Sequence, residues 1–169
     1  MQNTKNEKKQ LSDDFQAIVN LIQKKEWHEL EIRLRSNEIK CLTGWELFLA
    51  FYTTVLLACQ EIPAQNPSIP KHFFSIFELF NGLNVNIDTI SPQGTTILTA
   101  AAKAFQPELV RYFISKKADV NISTCFGSPI VELCGQASNL VRSDSFSIEE
   151  IELHRPLIMQ TALILLENG

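Results

Sequence analysis

The sequence predicts an all-α protein, and three observations predict it. Apolar residues recur at helical spacing, as in Phe15, Ile18, Val19 and Ile22, which fall at i, i+3, i+4 and i+7. No stretch shows the strict alternation of a half-buried strand. A polar turn ending in Val-Asn occurs twice, in NGLNVN (81–86) and KKADVN (116–121), and marks a period.

The elements follow in order. Residues 1–10 are polar and are expected to be a disordered tail. Ser12 is a natural N-cap, with Asp13 and Asp14 well placed against the helix dipole. A second helix over 26–36 carries Trp27, Leu30 and Leu34 on one face, which reads as core. Thr43 and Glu46 have capping-box spacing, so a third helix starts there and runs to Cys59, apolar nearly all round. Residues 61–70 are a loop, Pro70 fits the first turn of the next helix, and Gly82 ends that helix.

The period continues downstream. Gly94 and Gly127 lie 33 residues apart, as do Leu98 and Val131, and Ala101 and Cys134. The stretch GTTILTAAAKAFQPELVRYFISKKADVN resembles the ankyrin repeat, most closely over 90–121. The resemblance implies an ankyrin-repeat-like helical solenoid of about three repeats over 41–169, with residues 11–40 as an N-terminal helical cap. It gives Gly94 the hairpin glycine, Thr96 the N-cap, Leu98 the inner-helix leucine, and Ala101 and Ala102 the small pair. Glu108 to Arg111 match the start of the outer helix, and Ala118 to Asn121 its exit. The sequence departs from the family at Ile97, Thr99, Phe105 and Lys117, the last two replacing glycines. On this reading NGLNVN and KKADVN occupy the same point of successive repeats. Residues 44–59 and 70–86 make a divergent first repeat. Residues 127–136 and 157–169 make a third, interrupted by an insertion at 137–156. Within it Ser147 and Glu150 form a second capping box, so the outer helix can start at Ile148 and bend at Pro156. The apolar run Leu163 to Leu166 is followed by no polar capping repeat.

Composition narrows the function. Apolar residues make up 45 % and charged residues 20 %, the balance of an ordinary globular chain. A net charge of −4, with basic residues interleaved among acids, argues against nucleic acid. The apolar run 47–59 is shorter than the roughly 20 residues that span a bilayer. Cys41, Cys59, Cys125 and Cys134 lack zinc-site spacing, and no export signal opens the chain, so a monomer in a reducing cytoplasm is expected. Cys134 and His154, with Glu149 or Glu150 orienting the ring, are the one conceivable catalytic pair. They are set aside because Cys134 falls where the repeat wants a small buried residue. No catalytic residue, metal or cofactor is therefore expected.

What remains is non-catalytic binding of a protein. In ankyrin-like stacks the hairpin tips and inner helices form a concave groove. The resemblance places Ile90, Ser91, Gln93, Thr124 and Phe126 at the tips, and Thr99, Lys103, Glu132 and Gln136 on the inner helices. Phe126 is the expected anchor, either exposed or folded back on the preceding turn. Phe146 in the insertion is a second candidate surface. An adaptor or effector-type scaffold leads. The alternatives are the targeting arm of a longer enzyme and an inhibitor or immunity-type protein that blocks one enzyme. The wealth of Ile, Asn and Lys fits an AT-rich genome and so an effector from a bacterium.

Overall fold

The computed structural model describes residues 12–36, 39, 41–143 and 146–169; the expected polar tail, 1–10, lies outside them, as do Asp144 and Ser145. The described residues form helices α1 (Asp13–Lys24), α2 (Trp27–Arg35), α3 (Gly44–Glu61), α4 (Lys71–Gly82), α5 (Ile97–Lys103), α6 (Pro107–Ser115), α7 (Pro129–Arg142) and α8 (Ile148–Glu167). Among them the only β feature is one isolated bridge, Thr124 to Gly127.

The caps form where the side-chain chemistry places them. The Ser12 hydroxyl accepts the Phe15 N–H at 3.2 Å, and the Thr43–Glu46 and Ser147–Glu150 capping boxes are both complete. Pro70 stands just outside α4, at its cap position, rather than in its first turn. Among the described residues the 137–156 segment is mostly helical: α7 continues to Arg142, and α8 starts at Ile148 and carries Pro156 inside it.

The helices pair as hairpins: α1 with α2, α3 with α4, α5 with α6 and α7 with α8. The odd-numbered helices also pack in succession, α1 on α3, α3 on α5 and α5 on α7. On the other side α2 packs on α4 and α6 on α8. The core lies between these two sets. Its centre is aromatic: Phe51 of α3, Phe73, Phe77 and Phe80 of α4, and Phe113 of α6 are all fully buried. The Phe51 and Phe80 rings stack at 5.0 Å. Tyr112 ties α6 to α4 at the rim. Its hydroxyl donates to Glu78 Oε1 at 3.0 Å and accepts from Asn81 Nδ2 at 2.7 Å, and Lys116 pairs with Glu78 at 2.7 Å. Burial, and then the Glu78 carboxylate, push the Tyr112 phenol well above its usual range.

The turns that leave α4 and α6 are alike, though not in the letters that first suggest it. Asn84 and Lys117, 33 residues apart, both take left-handed backbone, with φ of 55° and 72°. The Asn86 side chain accepts the N–H of Asp88, and the Asp119 side chain accepts that of Asn121. Val85 and Ala118 are buried, and so are Ile87 and Val120. The two Val-Asn pairs, 35 residues apart, are therefore two residues out of register, and Ile87 is the partner of Val120. The left-handed turn falls to Asn84, not Gly82.

Left-handed backbone costs a non-glycine residue about 1–2 kcal/mol. Lys117 is exposed. Lys117→Gly is therefore expected to stabilise the fold by about 0.5–1 kcal/mol, after the added freedom of the unfolded chain is discounted. A urea titration checks this: a raised midpoint is expected, and a lowered one contradicts the assignment.

The 33-residue register breaks at one place. The turns Ser91–Gly94 and Thr124–Gly127 match, but α5 starts after the cap Thr96 and α7 after Ser128, only 32 residues on. One residue is missing between Gly127 and Ser128. Ile97 thus matches Pro129 and Ala101 matches Leu133, all four buried. Val131 and Cys134, expected at buried positions, turn outward and are exposed.

Candidate functional site

Three odd-numbered helices and two turns enclose a groove of about 440 Å³. Its walls come from Tyr52, Leu56 and Gln60 of α3 and Gln136 of α7, and its floor from Ala100 and Lys103 of α5 and Ala104 just after it. Gln93 and Phe126 overhang it from the turns. Small alanines between longer side chains make the depression. The Tyr52 hydroxyl bonds to Thr95 Oγ1 at 2.6 Å and fastens the first turn to α3.

Phe126 is held and yet open. A Cβ placed on Gly94, whose φ is +78°, would stand 2.9 Å from Phe126 Cε2 and 2.8 Å from Cys125 Sγ. The ring therefore rests on the preceding turn, where only glycine leaves room. It still exposes 56 % of its surface. Lys103 Nζ lies 5.9 Å from the ring centroid and pairs with Glu132 Oε2 at 2.9 Å. The one lysine of the groove is thus neutralised by a neighbouring carboxylate.

Of the predicted residues, Gln93, Lys103, Phe126 and Gln136 meet on this groove, and Glu132 stands behind Lys103. Ile90 is exposed but does not line it. Ser91, Thr99 and Thr124 serve the turns instead. Ser91 is buried, and its backbone N–H and hydroxyl bond to Thr95. Thr99 is fully buried, with its N–H and hydroxyl bonded to the Thr96 hydroxyl. Thr124 Oγ1 donates to the Gly127 carbonyl at 3.1 Å and accepts the Phe126 N–H at 3.2 Å, which sets the tip that carries the ring.

Tyr52, Leu56 and Gln60 were not legible as groove residues, because α3 reads as apolar all round. The i, i+4, i+8 spacing of Tyr52, Leu56 and Gln60 is the signal that marks one face.

Two other places bear on function. The hydrogen bond of His154 goes from Nδ1 to the Glu150 carbonyl at 2.7 Å, and its ring meets Phe105 edge-on at 5.8 Å. It is not directed at Cys134, which is exposed on α7 and not in the buried place expected for it. Burial pushes the Cys59 thiol up to about 12, which keeps it protonated at neutral pH. At the other end Val141 and Met159 are exposed and line an apolar groove between α7 and α8, and Leu163 and Leu166 are exposed further along α8. Phe146, in the turn before α8, is exposed as well.

Among the described residues no group of His, Cys, Asp and Glu is arranged to hold a metal, and no helix is long and apolar enough to cross a membrane. No protein-family model matches the chain, and no curated protein matches it.

Proposed function

We propose that the chain is an ankyrin-repeat-like stack that binds a segment of a partner protein in the groove under Phe126. The 33-residue register of the turns after α4 and α6 supports the stack. So does the left-handed backbone of Phe105 and Lys117, the two places where the ankyrin pattern has glycine. The observation that carries the binding role is the exposed Phe126 ring, anchored on Gly94 above a groove of about 440 Å³. A solvent-exposed aromatic whose position is already fixed loses little side-chain entropy on binding, and such rings dominate interface energies. Leu56 and the alanine floor supply apolar surface opposite it, and Gln60, Gln93 and Gln136 offer both donors and acceptors to a main chain.

Affinity capture from lysate of the source cell or its host tests this, read by quantitative mass spectrometry. Wild type is compared with Phe126→Ala and with Met159→Glu, all shown to be folded by circular dichroism. Truncating an interface anchor costs about 2 kcal/mol or more, so Phe126→Ala is expected to lose at least about tenfold of the specific partner. Met159→Glu retains it. Loss with Met159→Glu alone would move the site to the apolar face of α7 and α8 and overturn the groove.

A further inference from the structure

A second crevice, of about 400 Å³, opens beside the groove and shares Cys59, Gln60 and Ala104 with it. It lies where the C-terminal ends of α3 and α5 meet the first turns of α8. Helix C-termini carry the negative pole of the backbone dipole. No lysine or arginine lines the crevice, whereas Glu150 does. Its Oε2 accepts the Ser147 N–H of the capping box, and Oε1 makes no hydrogen bond within the described residues.

Gln60 and Gln65 are exposed and bring amide donors as well as acceptors, whereas Gln106, Glu150 and His154 offer acceptors. Gln106 is only 4 % exposed; its Nε2 donates to the Ile62 carbonyl at 3.0 Å, and its Oε1 is buried with no partner. A buried carbonyl without a donor is unfavourable, so a ligand that brings an N–H relieves it. His154 donates from Nδ1 to the Glu150 carbonyl, so in the neutral form of the ring Nε2 is the acceptor. A carboxylate, an orphaned carboxamide oxygen and an imidazole lone pair on one crevice ask for several donors and a positive charge.

We propose that the crevice takes the guanidinium of an arginine from the partner protein whose adjoining segment lies in the groove. Arginine fits better than lysine because its planar fork offers five donors in fixed directions, and the acceptors here come from different elements. The inference rests on the groove reading for the source of the arginine. The chemistry of the crevice stands apart from it.

The test uses the full chain and a small probe. N-acetyl-arginine N-methylamide is titrated while the Gln106 side-chain amide and His154 ring resonances are followed by NMR. Saturable shifts of both are expected in the millimolar range. The neutral citrulline counterpart should give no saturation at the same concentrations. Glu150→Gln keeps the capping box, in which glutamine also serves, and removes the charge; it is expected to weaken binding by about fivefold. Phe126→Ala should leave the titration unchanged. Equal binding of citrulline, or of the lysine counterpart, overturns the proposal, as does an unchanged affinity in Glu150→Gln. Absence of shifts with capture still dependent on Phe126 overturns the crevice and leaves the groove. Shifts as expected with capture indifferent to Phe126 do the reverse.

Discussion

Replacing Phe77 with alanine is expected to lower the unfolding free energy by about 3–5 kcal/mol, the largest single effect in the chain. The ring is fully buried and lies within 5.6 to 6.0 Å of Phe51, Phe73, Tyr112 and Phe113, so it joins α3, α4 and α6. Three helices meet on one side chain, and the space it leaves cannot be closed by moving one of them. Domains of this size are stable by about 5–15 kcal/mol, so the variant should be near the edge of folding. Phe74→Ala is the control, because Phe74 is 48 % exposed and meets Tyr112 only edge-on. It should cost about 1 kcal/mol or less. Urea unfolding of both variants decides the matter. A loss below about 1 kcal/mol for Phe77→Ala would contradict the aromatic centre described here.

Glu46 carries the second large effect. Its residue is buried, and its carboxylate joins two helix starts. Oε1 accepts the Ser12 N–H at 2.8 Å, and Oε2 accepts the Thr43 N–H at 2.9 Å. The backbone of Ser12, then that of Thr43, holds this carboxyl at about 2, against an ordinary 4.5. A depressed carboxyl stabilises the fold fully above its unfolded value, and the contribution is lost as pH falls through the folded one. Glu46→Gln is expected to cost about 1–3 kcal/mol at neutral pH, because one amide oxygen cannot serve both N–H groups. The gap in melting temperature between wild type and variant should then close as pH falls from 4.5 towards 2. A gap that stays constant across that window would contradict the assignment.

These two side chains also mark how far the sequence could be read. The Thr43–Glu46 box was legible, because both partners lie within one turn. The reach of Glu46 back to Ser12, 34 residues away, was not, because it depends on α1 packing against α3. The helix that became α4 was legible, but the meeting of its phenylalanines with Phe51 and Phe113 is tertiary and was not. Letter identity misplaced the turns by two residues, since Ile87 fills the pocket that Val120 fills in the next turn. The missing residue before Ser128 reversed the faces assigned to Val131 and Cys134. Ser91 and Thr99 were placed on the binding face by the resemblance, at a tip and on an inner helix. They are buried because their hydroxyls complete local backbone hydrogen bonds. Of the residues that line the groove, Gln93, Lys103, Phe126 and Gln136 were placed there by the resemblance, while Leu56 was hidden in a helix that reads as wholly apolar and Gln60 lay just past its expected end.

Whether a partner seats in the groove is decided by a photocrosslinker placed at residue 126. Benzoylphenylalanine is introduced at position 126, at position 159 on the apolar face of α8, and at the exposed position 32 on α2. Irradiation in cell lysate should then yield one discrete heavier species from position 126, absent from 32 and 159 and suppressed by an excess of unmodified chain. A discrete adduct from position 159 or 32, with none from 126, would contradict the account.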